Sequence, residues 1–344
     1  MQNFINDLQS AGIQFKENEP LSSYTTFRVG GPARIFVTAN TSDVLHQVFS
    51  LGTKYNIPLF VLGKGSNILV SDEGFDGLVI FNNATNWKII GDYKETEQNT
   101  NIIERRFDRP DDITISNHNV DTNSSVIVEV QSGAVVGTLM KQLFKENISG
   151  LEWFSGIPST VGGGIYMNMH GADHFFGELV EMALISNGKD IREVDQKYFK
   201  FDYDWCRLHQ TREVVLKANL ILKKGNVETA RETAKKWARY KSNQPWRSAG
   251  CIFQNLTEEQ KNQADLPSVS IGYLVDNVLN LKGISSGDAV ISENHAAFIE
   301  NTGHAKAQDV VELINLIKDK TKEKTGIDLK MEVQLIGKFK NGKI

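Results

Sequence analysis

Nine residues near the middle of the chain constrain it most: Gly156-Ile157-Pro158-Ser159-Thr160-Val161-Gly162-Gly163-Gly164, running on to Asn168-Met169-His170-Gly171. Glycine lets the backbone approach a ligand closely and adopt conformations closed to other residues. Ile157, Val161, Ile165 and Met167 anchor the run in a folded body, so it is not a flexible linker. Backbone N–H groups bared in this way form a concave site for anions such as phosphate. We read the run as a diphosphate cradle for a nucleotide cofactor. A tight buried turn would use the same residues, and the run alone does not separate the two.

The chain has 344 residues, room for two or three domains of ordinary size. Hydrophobic residues make up 40% and charged residues 23%, the balance of a globular protein. A net charge of -4 with no basic stripe argues against nucleic acid as a partner. No run of about 18 apolar residues is present, so no membrane span is expected, and the first residues lack the pattern of a signal peptide. Cys206 and Cys251 are too few for a disulfide framework, which fits a cytoplasmic protein. No metal-binding pattern gives reason to invoke a metal.

Short apolar runs separated by glycine fill residues 20–80. Strands are expected at Ile35-Phe36-Val37, Pro58 to Leu62, Ile68-Leu69-Val70 and Gly77 to Phe81, with a helix capped at Thr41 or Ser42. This alternation predicts a small α/β domain. Gly63-Lys64-Gly65 fails as a dinucleotide fingerprint, because Ile68 holds the third glycine position and a strand follows instead of a helix. Residues 82–125 are polar and read as a long insertion. Sheet resumes at Val126 to Val130 and a helix follows through Val136, Leu139, Met140, Leu143 and Phe144. Strands are expected at Val180 to Ser186 and Val214 to Leu222. From about 226 the texture changes. Polar helix 228–241, a helix through Leu274 to Leu279 and a third over Asp309 to Lys324 lead to a last strand that alternates from Leu329 to Leu335. The expected division is 1–81, 82–225 and 226–344.

Taken singly, the candidate chemical residues carry little. Cys251, in Ser248-Ala249-Gly250-Cys251-Ile252-Phe253-Gln254-Asn255, fits a buried filler, a nucleophile or a proton donor. Glu332 falls on the polar face of a strand, His295 precedes an apolar run, and Arg239 and Lys241 sit on a polar helix end.

Their order along the chain carries more. Thr25 to Ala33, the turn Gly63-Lys64-Gly65-Ser66-Asn67 with Ile68 to Asp72, the cradle from Gly156 with Asn168, then Arg239, Gln244-Pro245, Ser248 to Phe253 with Asn255, His295 to Ile299, and Met331-Glu332-Val333 follow one another. In this order they resemble the UDP-N-acetylenolpyruvoylglucosamine reductase family, over about residues 21–337. The resemblance implies an α+β fold. Two α/β subdomains of the vanillyl-alcohol-oxidase (PCMH) type bind FAD non-covalently, and a C-terminal α+β domain binds substrate. It implies NADPH as reductant, UDP-N-acetylglucosamine enolpyruvate as substrate, a role in peptidoglycan precursor synthesis, and a monomer.

The resemblance also implies roles. Gly63, Lys64, Gly65, Ser66, Asn67, Gly156, Ile157, Pro158, Ser159, Thr160, Gly163, Gly164 and Asn168 would hold the cofactor. Tyr203, Arg239, Asn255 and His295 would bind substrate, Cys251 would be the general acid, and Glu332 would polarise the enolpyruvyl carboxyl group. One departure bears on the chemistry. The family usually shows Tyr-Arg-x-Ser where this chain reads Tyr203-Asp204-Trp205-Cys206-Arg207, so an aspartate holds the arginine position. Arg207, three residues on, is the expected substitute. The short segment from Tyr203 to Val214 matches the compact subtype, which lacks an extra loop carrying a tyrosine. Competing readings are a flavin oxidase of the same superfamily and an inactive UDP-sugar-binding homologue, the latter resting on Asp204.

Overall fold

A computed structural model describes residues 1–93 and 124–339. The greater part of the polar stretch expected at 82–125, residues 94–123, lies outside the described residues.

Helix α1 (Gln2–Ser10) buries Phe4 and Leu8 beside a four-stranded sheet. That sheet comprises β1 (Lys16–Pro20), β2 (Pro32–Ala39), β3 (Leu59–Leu62) and β5 (Phe75–Asn82), ordered β1-β2-β5-β3. Strands β2, β5 and β3 run parallel, and β1 is antiparallel to β2. Helix α2 (Ser42–Lys54) makes the crossover. Thr41 caps it by accepting a hydrogen bond from the Val44 N–H at 3.2 Å. Its Leu45, Val48 and Phe49, at helical spacing, bury against Ile35, Val37, Leu78 and Ile80.

Strand β4 (Ile68–Val70) leaves that sheet and pairs in parallel with the last strand of the chain. A second sheet of six strands starts with β6 (Trp87–Tyr93) and β7 (Ser124–Gln131), which are antiparallel. The insertion expected to begin at 82 therefore opens as sheet. Ile89 and Ile90 of β6 are 41% and 45% exposed because β6 is an edge strand, which hides the burial alternation that marks strands in sequence. Helix α3 (Val136–Leu143) and the short helix α4 (Val161–Tyr166) pack on the sheet with Val136, Leu139, Val161 and Ile165. Strands β8 (Val180–Ser186), β9 (Ile191–Asp195) and β10 (Val214–Lys224) give the path β9-β8-β10-β7-β6, and the sixth strand, the short Ile148–Ser149, pairs with the end of β10; all pairs are antiparallel. Strand β9, the opposite edge, is also largely exposed, and the sequence reading passed over it.

Helix α5 (Glu228–Ser242) follows the change of texture at 226, yet its Ala230 and Ala234 enter the core of the six-stranded sheet. The C-terminal core is built on α6 (Ala307–Thr325), whose Val310, Leu313, Ile314 and Ile317 are buried on one face. Gly326, at φ +74°, ends α6 in the left-handed conformation. Phe27, Val29 and Leu69 from the N-terminal third reach into this core.

The expected last strand is a correction. Regular pairing covers only β11 (Gln334–Ile336) on β4. The residues before it turn to another partner: Met331 bridges to Phe253, and the Glu332 N–H donates to the Ile252 carbonyl at 2.9 Å. The alternating stretch is thus divided between two neighbours. No helix among the described residues is long and apolar enough to cross a membrane.

Candidate active site

The two glycine turns meet. A Cβ added to Gly63 would sit 2.7 Å from Thr160 Oγ1, so the first turn lies directly on the central run. Gly65 has φ +60°, and a Cβ there would fall 2.3 Å from the Tyr24 carbonyl oxygen; only glycine fits. Thr26 ties the opening block to both neighbours. Its N–H donates to the Gly65 carbonyl at 3.1 Å and its Oγ1 to the Ser248 carbonyl at 2.6 Å, three residues before Cys251.

The picture of bared amides needs correcting. The N–H groups of Val161 and Gly162 donate to the Ala134 and Ser132 carbonyls at 2.9 and 2.7 Å, Gly163 donates to Thr160 Oγ1, and Gly164 donates to the Thr160 carbonyl. A Cβ on Gly164 would press on the Phe176 ring at 3.2 Å. These glycines serve close packing of α4, and the turn reading accounts for the C-terminal half of the run. Asn168 is likewise spent within the protein: its Oδ1 accepts from the Gly177 N–H at 2.9 Å and its Nδ2 donates to the Asp202 carbonyl at 2.9 Å. Gly156 and Pro158 are exposed, Ile157 and Gly163 are half-buried, and Ser159 donates to the Thr160 carbonyl. Lys64 is exposed and Ser66 half-buried.

Asn67 carries the observation that points outward. Its Nδ2 donates to the Glu332 carbonyl at 3.3 Å, whereas its buried Oδ1 has no hydrogen-bond partner. Buried acceptors without partners are rare in native proteins and mark a place for a donor. The glycine turn, the orphan oxygen and the junction with the central run fit a polar cofactor such as FAD.

Beside this junction an ionisable group forms from five elements. Gly250, at φ +78°, makes the turn into Cys251, which bridges to Phe298. Glu332 is brought alongside by its backbone bond to Ile252. Lys241 arrives from the end of α5, with its stem on Gly156, where a Cβ would sit 2.8 Å from Lys241 Cβ. Gly156, at φ +81°, leaves room for that stem. Asp204 lies in a tight turn at φ +49°, with its carboxylate 3.4 Å from His170 Nε2. His170 stacks on buried Tyr203, ring centroids 5.3 Å apart.

The environment sets the protonation states. Desolvation, then the neighbouring Glu332, pushes the Cys251 thiol well above its ordinary range, with Lys241 opposing. Glu332 is raised well above a normal carboxylate by desolvation and then by Asp204. Lys241 is lowered by desolvation, with Cys251 and Glu332 acting against that. His170 falls to about 3 through burial and then the charge of Lys241, and is neutral. His295 is lowered by the same two causes; its ring packs on Phe298 at 4.6 Å. The group therefore holds a thiol and a carboxyl whose protonated forms burial favours, beside the Lys241 amine, whose charged form burial disfavours. Such donors stabilise negative charge that develops during a reaction.

Other expected residues go elsewhere. The Arg207 guanidinium lies over the Tyr198 ring at 4.5 Å, where Arg192 pairs with Glu213. Arg207 does not join the group around Cys251, because the backbone of the turn, whose Arg207 N–H donates to the Phe199 carbonyl, aims it at Tyr198. Arg239 is exposed on α5. Asn255 Oδ1 accepts from the Ile271 N–H at 3.1 Å and so braces the next helix. Cys206 is fully buried and its thiol is pushed up to about 12 by that burial, as for a core residue. The sequence reading named Lys241 only as a charge on a polar helix end and gave His170 no role. Lys241 sat on a polar helix, and only its contact with Gly156, far away in the chain, distinguishes it from a surface charge.

A model of the FAD binding domain matches residues 33–186, and one of the UDP-N-acetylenolpyruvoylglucosamine reductase C-terminal domain matches residues 241–336. The UDP-N-acetylenolpyruvoylglucosamine reductase of Chlamydia felis is 34% identical over 321 residues, 92% of either chain. The chain belongs to the UDP-N-acetylenolpyruvoylglucosamine reductase family. The Anoxybacillus flavithermus reductase is 34% identical over 330 residues, 94% of either chain. Among solved structures, the Thermus caldophilus reductase aligns over 94% of this chain and 98% of its own, with a TM-score of 0.67 and 27% identity. The fold is that of the family: a PCMH-type FAD-binding domain followed by the reductase C-terminal domain.

Proposed function

We propose that this chain reduces UDP-N-acetylglucosamine enolpyruvate to UDP-N-acetylmuramate with NADPH, using non-covalent FAD, in peptidoglycan precursor synthesis. The observation that carries the reading is the grouping of Cys251, Glu332 and Lys241 beside the two glycine turns. We assign FAD to the Gly63–Asn67 turn and to the Gly156–Gly163 face of the central run. The division into 1–81, 82–225 and 226–344, a cytoplasmic location and a monomeric state belong to the same reading.

Bound FAD supplies a two-electron relay between NADPH and the terminal vinyl carbon of the substrate. Hydride addition there leaves negative charge on the adjacent carbon and its carboxylate. Cys251 breaks its S–H bond and forms the new C–H bond at that carbon; solvent then returns the proton to sulfur. The raised pKa of the thiol keeps the proton in place until the carbanion-like centre develops. Glu332, held neutral by desolvation, donates a hydrogen bond to the substrate carboxylate. Tyr203 and His295 wall the site. Incubation of the FAD-loaded protein with NADPH and the enolpyruvyl sugar nucleotide, with product mass as readout, tests this. A product two hydrogens heavier supports it. NADPH oxidation with the substrate mass unchanged, and oxygen consumed instead, points to an oxidase.

A further inference from the structure

This inference rests on the functional reading above and concerns where the chain grips its reductant. Trp246 is 71% exposed, more than any other large hydrophobic side chain among the described residues. Ile89, Ile90 and Ile191 owe their exposure to the edge strands β6 and β9. Trp246 has no such reason, and its loop is fastened on both sides. The Gln244 N–H donates to the Lys241 carbonyl at 3.0 Å, Ser248 Oγ donates to the Pro245 carbonyl at 2.8 Å, and the Asn301 N–H donates to the Arg247 carbonyl at 2.9 Å. A fixed backbone thus holds the indole out in solvent, at a cost in unburied apolar surface.

Arg247 lies against that indole, with its guanidinium carbon 4.7 Å from the ring centroid. Its Nε is buried without a hydrogen-bond partner, and among the described residues the guanidinium makes no ion pair. One loop therefore presents a flat ring and an uncompensated cation side by side, an arrangement that suits a base carrying a phosphate on its own ribose. The loop lies beside the Cys251 turn. Five residues of chain, at most about 18 Å when extended, separate Trp246 from Cys251, a reach that an extended dinucleotide covers. A Cβ on Gly250 would meet nothing within 4 Å, so the space between them is open.

We propose that Trp246 and Arg247 hold the 2′-phosphoadenosine end of NADPH: the indole stacks on the adenine and the guanidinium pairs with the 2′-phosphate, so this loop sets the preference for NADPH over NADH. Two nucleotides visit the site in turn, and the pair suits the reductant better than the sugar nucleotide. The 2′-phosphate is a monoester with nearly two negative charges and free oxygens for a bidentate guanidinium, whereas each phosphate of a UDP-sugar is bridged on two sides and carries one charge. An exposed grip also suits a reductant that has to leave before the substrate enters.

Rapid-mixing reduction of the FAD-loaded full chain by NADPH and by NADH, with calorimetric titration of adenosine 2′,5′-bisphosphate and of 5′-AMP, tests this. Arg247→Gln is expected to lower the second-order rate constant with NADPH about 30-fold, the scale of a charge-assisted contact, and to leave NADH within about twofold. The same variant should weaken the bisphosphate and leave 5′-AMP unchanged. Trp246→Ala is expected to slow both reductants alike, about tenfold, the scale of one stacked base, and Trp246→Phe to recover most of that loss. Reoxidation of the reduced flavin by the enolpyruvyl substrate should stay within about twofold in all three variants. An NADPH-to-NADH ratio unchanged by Arg247→Gln, or no effect of Trp246→Ala on either reductant, overturns the proposal. So does a substrate half-reaction that falls as far as the reductive one, which would put the uridine nucleotide on this loop. Wild-type flavin that neither reductant bleaches overturns the functional reading instead.

Discussion

Asn67 donates its side-chain amide to the backbone carbonyl of Glu332 at 3.3 Å. That bond joins the first glycine turn to the C-terminal segment across 265 positions of sequence. The Gln334 N–H returns a bond to the Asn67 carbonyl at 3.0 Å. The first glycine turn and the segment that carries Glu332 are thus one mechanical unit. Asn67→Leu, which removes this bond and the orphan acceptor together, is expected to weaken FAD retention about tenfold, the effect of one to two hydrogen bonds. Flavin fluorescence during dilution measures it; unchanged retention would assign Asn67 to packing alone.

Cys251→Ala is expected to split the two half-reactions. Reduction by NADPH should stay within about twofold, while the substrate half-reaction should fall by about 100-fold or more, the ordinary size of a lost general acid. Cys251→Ser should recover part of the loss. Rapid-mixing absorbance resolves the two phases, and equal loss in both would make Cys251 structural.

Arg207→Ala tests the correction of the sequence expectation. The side chain stacks on Tyr198, so the change should cost about 0.5–1 kcal/mol of stability. Turnover should stay near normal. A collapse of the substrate half-reaction with stability intact would return Arg207 to the site.

His170 gives a pH test. Its ordinary value is 6.5 and its value in the fold about 3. Between these values the unfolded chain binds a proton that the folded chain refuses, so stability is full above about 6.5 and falls as pH drops toward 3. Replacing His170 with Asn should reduce the loss of stability between pH 7 and pH 5, read by urea unfolding at both. An unchanged difference would mean that His170 is solvated.

The sequence made most of the interior legible and left edges and meeting points obscure. Leu45, Val48 and Phe49, and likewise Val310, Leu313, Ile314 and Ile317, announce their helices because each buries one face. Strands β6 and β9 escape because they are sheet edges with little buried on either face. The alternation at Leu329 to Leu335 is real but is shared between Phe253 and β4, which no local period encodes. Cys251 and Glu332 were legible only through the family resemblance. Lys241 was not, since helix position alone gives a surface lysine and the contact with Gly156 is made by the fold. The same fold turns Arg207 away.

The most direct measurement is an anaerobic single turnover of the FAD-loaded protein. NADPH is added first, then UDP-N-acetylglucosamine enolpyruvate, with the flavin absorbance followed throughout. The account predicts bleaching by NADPH and full recovery on addition of the substrate, with UDP-N-acetylmuramate as product. Bleaching that recovers only when oxygen is admitted would contradict it.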